Sequence, residues 1–524
     1  MTSNPSKKII TSIKENKWLI LIILFGAFLR IFYLGNESFW LDEAETVFAT
    51  QKNSSYIIHS FYTNILAPEI FGPRGGGSMP LYYLLANYWT KLFGLSEFKL
   101  RLLSAIFGVA LIYLVYFIGK EFFGKNVGLI AAFIISINHQ HIYYSQEARM
   151  YNLIVMLTMI SVYSFYQLLT KGKILHLLIY AISTIALLYT HYYSVLVLAF
   201  EFLYAFSILN DARFNLKKII ICWAIIALSY AFWIPVLLRQ FSKGATFSGV
   251  QGPLTINKLI ELAIGFNSWI SPDLQTRSAL AGWMFSKIPF FGWIAIISIL
   301  LISLIFIIFF SLEIIIFLIK YIKDKNIIPE DKKVLLFFLW FFIPLAIPLV
   351  LAFLSPQSST LGPIRYVLFI SPAYYILISK SIYGFGKRKN SFSIAVILLL
   401  IITFTIAPIY SYYKNPDKGQ YKEAAAYIAS KEKNEPIIVH GAPIFLPFDY
   451  YYGKFNKNND FYKSFDIERL KNFADSHQRF WVVASMLKYY DPSNSFLTYL
   501  NSHFVLIEEK DFIDVKIFMY KKIR

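Results

Sequence analysis

The stretch IPFFGWIAIISILLISLIFIIFFSLEIIIFLI, from Ile288 to Ile319, contains a single charged residue, Glu313. An apolar run of about 18 or more residues is long enough to cross a bilayer as a helix. The whole chain agrees with this stretch, because 57% of its 524 residues are hydrophobic and only 15% are charged, against about 25% charged residues in soluble domains. The sequence therefore predicts a polytopic α-helical membrane protein and excludes a soluble enzyme, a secreted disulfide scaffold and a disordered chain.

Ten further apolar segments raise the prediction to about eleven transmembrane helices. The first segment, Trp18 to Leu34, follows a lysine-rich stretch and has no small-residue cleavage site after it, so we interpret it as an uncleaved anchor. The other segments lie near residues 97–119, 127–144, 150–170, 174–190, 192–209, 218–238, 334–354, 366–384 and 391–410.

The basic residues indicate the orientation of these helices. The formal net charge of +19 would suggest nucleic acid in a soluble protein, but here the charge collects in every second connection, so no nucleic-acid partner is expected. By the positive-inside rule the N-terminus is cytoplasmic in the cell membrane, and an odd number of spans places the C-terminus outside. The connections that carry the charge contain Lys120 and Lys125; Lys171 and Lys173; Arg213, Lys217 and Lys218; Lys320, Lys323, Lys325, Lys332 and Lys333; and Lys387, Arg388 and Lys389.

The composition divides the chain into two predicted domains. Residues 1–410 form the transmembrane domain, whose first long outer loop covers residues 35–96, and residues 411–524 form a small extracytoplasmic α/β domain. Helical spacing is found over residues 417–431. The strand-like runs of this domain are Pro436–His440, Arg479–Ala484, Phe504–Glu508 and Val515–Tyr520.

The segment Phe39-Trp40-Leu41-Asp42-Glu43-Ala44-Glu45 places adjacent carboxylates just beyond the outer end of the first helix. A carboxylate next to an apolar slab is costly to desolvate and is therefore often functional. The alternative is that these acids only stabilise the N-terminus of a short helix that starts after Trp40.

A second polar cluster, residues 139–151, fills another outer corner and contains His141, Glu147, Arg149 and Tyr151. An arginine at this depth is suited to bind a phosphate through two parallel hydrogen bonds. The alternative for Arg149 is an interfacial arginine paired with Glu147.

Two more outer corners contain His191, within Thr190-His191-Tyr192-Tyr193, and Arg365, within Pro363-Ile364-Arg365-Tyr366. Each corner alone is compatible with an aromatic belt at the membrane interface. Four polar corners at one membrane level together favour a binding site.

With these residues the chain resembles a membrane glycosyltransferase of the class C fold, and specifically the protein O-mannosyltransferase-like family, whose relatives include the lipid A aminoarabinose transferases. No one piece of the resemblance is specific, but the order and spacing fit well over roughly the first 200 residues. The matching pieces are Trp40–Ala44, Pro80–Leu85, Leu92–Glu97, Arg101-Leu102, Tyr144–Tyr151, Thr190–Tyr193 and Arg365-Tyr366.

The resemblance implies transfer of a sugar from a polyprenyl-phosphate donor to a hydroxyl of a protein, lipid or envelope glycan on the outer face, with inversion at the anomeric carbon. Asp42 is then the expected base, Glu43 orients it or the acceptor, and Arg149 and Arg365 stabilise the departing phosphate. Donor and acceptor binding is expected to involve Arg74, Ser78, Tyr82, His141, Glu147, Tyr151 and His191.

The chain departs from the family pattern before Pro80. Many relatives have His-Pro-Pro or Glu-Lys-Pro-Pro there, whereas this chain has Gly77-Ser78-Met79-Pro80. No Asp-x-Asp motif occurs in the first loop, so no cofactor and no metal dependence are expected. A lipid-linked glycan flippase or a noncatalytic envelope scaffold remains the alternative class, although the charged residues cluster at one face rather than at the midplane.

Overall fold

A helical bundle and a small mixed sheet make up the fold seen in the computed structural model. The eleven predicted spans fall largely on helical residues, although 127–144 and 218–238 are each divided between two helices. The model describes residues 5–63, 79–209, 215–242, 265–267, 289–324, 329–354, 364–414, 418–431, 435–440, 445–454, 461–464, 466–485, 487, 491 and 493–523.

The helices of the bundle come before the strands in chain order. In chain order they are α1 (Pro5–Ile31), α2 (Leu41–Thr50), α3 (Ser54–Thr63), α4 (Pro80–Phe93), α5 (Glu97–Phe123), α6 (Lys125–Ile137), α7 (His139–Ser145), α8 (Tyr151–Lys171), α9 (Ile174–Leu188), α10 (Val195–Ser207), α11 (Leu216–Tyr230), α12 (Ile234–Ser242), α13 (Pro289–Asp324), α14 (Pro329–Leu354), α15 (Ser371–Lys389) and α16 (Ser391–Lys414).

Six helical stretches among the described residues are long and apolar enough to cross a membrane. They are α5, α8, the stretch from α11 into α12, α13, α14 and α16. The protein is therefore a multi-pass membrane protein. The total of about eleven crossings and the direction in which they run stay predictions.

The sequence-based span 127–144 is wrong in one respect, because the chain breaks it into α6 and α7 at Asn138. The Asn138 side chain accepts a hydrogen bond from the backbone N–H of His141 and so caps α7. The buried guanidinium of Arg30 donates to the carbonyls of Ile135 and Ser136 at 2.9 Å each, which satisfies acceptors that the end of α6 leaves open. The break brings residues 139–149 into one compact corner.

The C-terminal part is a five-stranded sheet with helices on both faces. Its helices are α17 (Tyr421–Lys431), α18 (Phe445–Tyr452), α19 (Ile467–Asp475) and α20 (Ser495–His503). The strands, in the spatial order β2-β1-β3-β5-β4, are β1 (Ile437–His440), β2 (Phe461–Ser464), β3 (Arg479–Ala484), β4 (Phe504–Phe512) and β5 (Val515–Lys522).

Strand β1 pairs in parallel with β2 and β3, whereas β5 pairs antiparallel with β3 and β4. The four strand-like runs of the sequence correspond to β1, β3, β4 and β5, and the sequence reasoning missed β2. Side chains of β1 and β3 alternate between two apolar layers: Val439 and Val483 belong to one, and Ile438 and Val482 to the other.

The first of these layers faces the bundle and positions the sheet domain against it. It is continuous with the helical core through Tyr421 and Tyr451. The Tyr451 hydroxyl accepts a hydrogen bond from the backbone N–H of Phe39 at 2.6 Å, and Leu446 of α18 packs on Ala44 of α2. The sheet domain therefore contacts the acidic motif directly.

Candidate active site

The acidic motif forms the first turn of α2. Helix α2 begins at Leu41, directly after the extended residue Trp40, and Asp42 and Glu43 lie in its first turn. This start agrees with the capping alternative, since carboxylates at a helix N-terminus are favoured by the helix dipole. The two side chains nevertheless lie in different surroundings, because Glu43 is fully buried and Asp42 is 19% exposed.

The Glu43 carboxylate is saturated by donors. Arg101 donates to its two oxygens at 2.8 and 2.7 Å, the backbone N–H of Ala148 donates at 2.8 Å, and the Lys418 ammonium lies 3.3 Å away. Burial by itself would raise the pKa of Glu43, but these positive groups and hydrogen bonds outweigh it and lower the pKa to about 2. Glu43 is therefore charged and fixed.

Arg101 ties the loop before α2 to this carboxylate. Its guanidinium also donates to the carbonyls of Leu34, Glu37 and Ser38, at 3.2, 2.9 and 2.8 Å. The sequence pointed to Arg101 only as part of the family resemblance and assigned it no role. An arginine early in a long apolar segment is the signal that would have identified it.

The Asp42 carboxylate faces Arg365, whose Nη2 lies 3.5 Å from Asp42 Oδ2. The Arg365 guanidinium also lies 5.7, 5.8 and 5.5 Å from the ring centroids of Trp40, Tyr151 and Tyr366. Such contacts with aromatic rings orient a guanidinium without using its N–H donors. The structure therefore brings together three predicted site residues, Asp42, Tyr151 and Arg365.

Arg149 supports α2 from the opposite corner. Its Nη1 donates to the backbone carbonyl of Asp42 at 2.9 Å, to the Tyr83 hydroxyl at 2.8 Å and to the Glu45 carboxylate at 3.0 Å. The ion pair is thus with Glu45, and not with Glu147 as the interfacial alternative expects. Arg149 is also buried, so it is not an interfacial arginine reaching toward solvent.

Glu147 is a second buried carboxylate, in the turn between α7 and α8. Neither of its oxygens has a hydrogen-bond partner among the described residues. Burial raises its pKa to about 7, Asp42 and Glu43 act in the same direction, and Lys418 and Arg365 oppose the shift. Glu147 is therefore poised to exchange a proton near neutral pH.

Lys418 is a site residue that the sequence reasoning missed. It lies between α16 and α17, and its buried ammonium donates to the carbonyl of Gln146 at 2.8 Å. Burial and the nearby Arg101 lower the pKa of Lys418, while Glu43, Glu37 and Glu147 oppose that shift. A single lysine in a short polar connection carries no sequence signal of burial, so only the fold reveals it.

The other predicted binding residues lie in different parts of the structure. Tyr82 is buried, with its hydroxyl 2.8 Å from Ser104 Oγ, and Ser104 donates to the backbone carbonyl of Arg149. His141 Nε2 lies 2.8 Å from Ser371 Oγ, and its ring packs against Tyr375. His141 therefore packs against α15, and no contact between it and Asp42 is seen among the described residues.

His191 lies beside the Arg365 corner, with its ring centroid 5.0 Å from that of Tyr366. Burial, followed by the charges of Arg149 and Arg365, lowers its pKa to about 3, so it is neutral at pH 7. It can therefore exchange hydrogen bonds with a ligand without adding charge. Arg74 and Ser78, the other two predicted binding residues, lie outside the described residues.

A cavity of about 440 Å³ adjoins this site where the ends of α1 and α16 meet the start of the sheet domain. Lys418 borders the cavity and also contacts Glu43. Within the part of the chain that the structure describes, no group of three or more His, Cys, Asp or Glu side chains is arranged to hold a metal ion. The residues that line the cavity are Tyr33, Asn36, Glu37, Ser38, Gln146, Tyr412, Tyr413, Lys414, Lys418, Gln420 and Glu423.

Comparison with protein families gives a match to part of the chain that includes Tyr82, Arg101, Glu147, Arg149 and His191 but not the acidic motif. Residues 77–238 match the family described as dolichyl-phosphate-mannose-protein mannosyltransferase. A putative mannosyltransferase of Bacillus subtilis, YkcB, is 24% identical over 256 residues, which are 48% of this chain. The match spans 34% of the length of that relative.

Solved structures are similar over almost the whole chain. ArnT from Cupriavidus metallidurans superimposes with a TM-score of 0.55 at 11% identity, covering 97% of this chain and 98% of ArnT. The oligosaccharyltransferase AglB from Archaeoglobus fulgidus, solved with an inhibitory peptide and a dolichol-phosphate, gives a TM-score of 0.53 at 14% identity, covering 94% of this chain and 72% of AglB. At these identities the likeness concerns the fold.

The molecule is accordingly a membrane protein of the class C glycosyltransferase fold, with a small C-terminal sheet domain. The resemblance to protein O-mannosyltransferase-like proteins that the motifs predict is confirmed by the family match and by the Bacillus relative.

Proposed function

We propose that this protein transfers a sugar from a polyprenyl-phosphate-linked donor to an acceptor hydroxyl at the Asp42 site. The observation that carries this proposal is the different state of two adjacent carboxylates: Glu43 is buried and saturated, whereas Asp42 stays accessible opposite Arg365. A scaffold has no need of a carboxylate held in this way. ArnT has also been solved with undecaprenyl phosphate, at a TM-score of 0.52 to this chain.

Asp42 is the base in this proposal. Its carboxylate accepts the proton of the acceptor hydroxyl while that oxygen forms a bond to the anomeric carbon and the bond from this carbon to the lipid phosphate breaks. The proton ends on Asp42, and the polyprenyl phosphate leaves with the electron pair. Direct displacement inverts the configuration of the sugar.

Arg365 is the residue best placed to stabilise the leaving phosphate. It is the arginine that faces the Asp42 carboxylate, and aromatic rings rather than a closely bonded carboxylate hold its guanidinium. Arg149 donates to the backbone of Asp42 and to Glu45, so we assign it the task of positioning the base. A phosphate contact with Arg149 stays a prediction.

We also propose that the site faces the extracytoplasmic side, with the N-terminus in the cytoplasm and the sheet domain outside. Arg101, which contacts the Asp42 motif, and Lys120 lie on one helix, α5. They are nineteen residues apart, about 28 Å at the helical rise and close to the thickness of a bilayer core. The basic connection that follows Lys120 therefore lies at the far end of α5 from the acidic motif. A reporter fused after Arg524 should be active only outside the cytoplasm, and activity inside would overturn this orientation.

The test of activity is the transfer of radiolabelled sugar from polyprenyl-phosphate donors to envelope fractions, in membranes that contain the wild-type chain or the Asp42→Asn variant. We expect product formation to fall by about 10²–10⁴-fold in the variant, the range that a general base contributes. Asp511→Asn is the matched control, because Asp511 is exposed on β4 and pairs only with the surface residue Lys516 among the described residues. It should leave transfer unchanged.

The outcomes separate the alternatives. Equal transfer by wild-type protein and by Asp42→Asn would remove Asp42 as the base. Absence of donor-dependent labelling from the folded wild-type chain, over a broad donor set, would overturn the glycosyltransferase proposal in favour of the flippase or scaffold class. The labelled fraction would identify the acceptor.

A further inference from the structure

We infer that Lys418 is a positioning residue for the transfer reaction, through which the C-terminal domain fixes the acidic motif. This inference rests on the proposed function of the Asp42 site. Lys418 does not touch the Asp42 carboxylate among the contacts that the structure shows. It acts on the two backbone segments that hold Asp42.

The Lys418 ammonium contacts both of the turns that hold Asp42. It lies 3.3 Å from Glu43, the residue next to Asp42, and 2.8 Å from the carbonyl of Gln146. Gln146 belongs to the turn whose Ala148 N–H also bonds Glu43 and whose Arg149 bonds the backbone of Asp42. One buried cation therefore joins the first turn of α2 to the turn between α7 and α8.

The segment around Lys418 is held by hydrogen bonds to the sheet domain. Gln420 exchanges two hydrogen bonds with Ile513, in the turn between β4 and β5: its N–H donates to the Ile513 carbonyl at 2.9 Å, and its side-chain oxygen accepts from the Ile513 N–H at 3.0 Å. Lys418 is thus anchored on the sheet domain two residues away from the point where it enters the site.

The same segment also forms hydrogen bonds with the loop before α2. The backbone N–H of Lys422 donates to Ser38 Oγ at 3.1 Å, and Ser38 Oγ donates to the Glu423 carboxylate at 3.0 Å. Arg101 holds this loop from the side of the bundle. The acidic motif is therefore clamped between the bundle and the sheet domain, and Lys418 is the charged contact that reaches the catalytic turn itself.

Loss of the Lys418 charge is expected to displace the acidic motif rather than to unfold it. Glu43 keeps two hydrogen bonds from Arg101 and one from Ala148 when Lys418 is removed, so the carboxylate does not become an unpaired buried charge. The main loss is the bridge from Glu43 to Gln146. A displacement of about 1 Å in a catalytic group costs about 10²-fold in rate.

The experiment compares Lys418→Met, which keeps the length of the side chain and removes its charge, with Lys418→Arg and with the matched control Lys422→Met. Lys422 lies on the same segment with an exposed side chain, and only its backbone N–H contacts Ser38. Purified full-length protein in nanodiscs is assayed with a polyprenyl-phosphate sugar, and kcat and KM for the donor are measured separately.

We expect Lys418→Met to lower kcat by about a hundredfold with an unchanged KM, Lys418→Arg to recover most of the rate, and Lys422→Met to behave as the wild type. A merely structural role would reduce the amount of active protein, and the rate per folded molecule would stay unchanged. That result, or a wild-type kcat for Lys418→Met, would overturn the inference.

Hydrogen exchange separates this inference from the proposed function. In Lys418→Met, amide exchange should accelerate in the peptides covering residues 37–50 and 145–150, while the core helix α8 keeps its protection. This readout needs no turnover. If the wild-type chain transfers no sugar, the proposed function fails, and faster exchange confined to these two segments would still show that Lys418 fixes the two turns, whereas unchanged exchange would overturn the inference.

Discussion

The first turn of α2 and the turn between α7 and α8 each bury one glutamate, and the two turns treat the carboxylate in opposite ways. Glu43 receives three hydrogen bonds and lies beside a lysine, whereas Glu147 has no hydrogen-bond partner among the described residues. The pKa of Glu43 is lowered to about 2, and burial raises that of Glu147 to about 7. Equal burial therefore produces a fixed anion in one turn and a proton-exchanging group in the other.

The comparison shows that donors, and not burial, decide what a carboxylate does in this site. A buried charge without partners is costly, so the group reduces the cost by holding its proton. A buried charge with a bidentate arginine stays ionised and joins structural elements. Asp42 differs from both glutamates, because it is partly exposed and faces Arg365, which suits the role of base that we propose for it.

The largest effect that tests the comparison is expected from Glu43→Gln. The change leaves Arg101 and Lys418 buried beside a neutral amide, and breaking a buried ion pair typically costs about 3–5 kcal/mol. The unfolding midpoint of purified protein in detergent should fall steeply, together with the yield of monodisperse protein. Glu147→Gln is the matched control and should not lower the midpoint at pH 8. Equal stability of the two variants would contradict the assignment of Glu43 as a structural tie.

A smaller effect is expected in the pH dependence of stability. The pKa of Glu147 rises from 4.5 to about 7 on folding, so between these values the folded protein holds a proton that the unfolded chain has released. Its contribution to stability therefore falls as pH rises through this window, by at most about 1.4 kcal/mol per pH unit, and is constant above it. Glu43 has the opposite sign, because its lowered pKa makes stability fall as pH drops from 4.5 toward 2.

The measurement is the unfolding midpoint of wild-type protein and of Glu147→Gln at pH 5, 6, 7 and 8. The wild type should lose stability relative to the variant from pH 5 to pH 7 and then remain level with pH. Asp511→Asn, which changes an exposed carboxylate on β4, should follow the wild-type curve. Parallel curves for wild-type protein and Glu147→Gln would show that Glu147 does not titrate in this range.

The parts of the molecule that the sequence predicts well are those decided by local pattern. Apolar runs of membrane length fall largely on helices, and short runs rich in Val, Ile and Phe correspond to β1, β3, β4 and β5. The break at Asn138 was missed, although Asn138 itself caps α7, because the end of α6 is capped by the distant Arg30 from another helix. No local pattern announces a contact of that kind.

In the candidate site, too, the sequence predicted some residues and missed those that depend on distant contacts. Asp42 and Arg365 were predicted because their motifs lie at corners of one membrane level, and the fold brings them to 3.5 Å. Lys418 was missed because its burial depends on the docking of the sheet domain against Ser38 and Phe39. The different surroundings of Asp42 and Glu43 also could not be predicted, since adjacent acids have equal local signals and the distant Arg101, Ala148 and Lys418 separate them.

The smallest effect is expected from Glu45→Gln. This variant tests whether the number of hydrogen-bond donors or the charge alone decides how much each carboxylate contributes to stability. Glu45 pairs with Arg149 at 3.0 Å and is 18% exposed, so solvent weakens the pair. The amide oxygen of glutamine can still accept from Arg149, which keeps its hydrogen bonds to the Asp42 carbonyl and to Tyr83. We expect the free energy of unfolding to fall by about 1 kcal/mol, a value between those of exposed and buried ion pairs. The measurement is the unfolding midpoint of purified protein in detergent. If Glu45→Gln destabilised the protein as much as Glu43→Gln, net charge rather than the number of donors would govern this site.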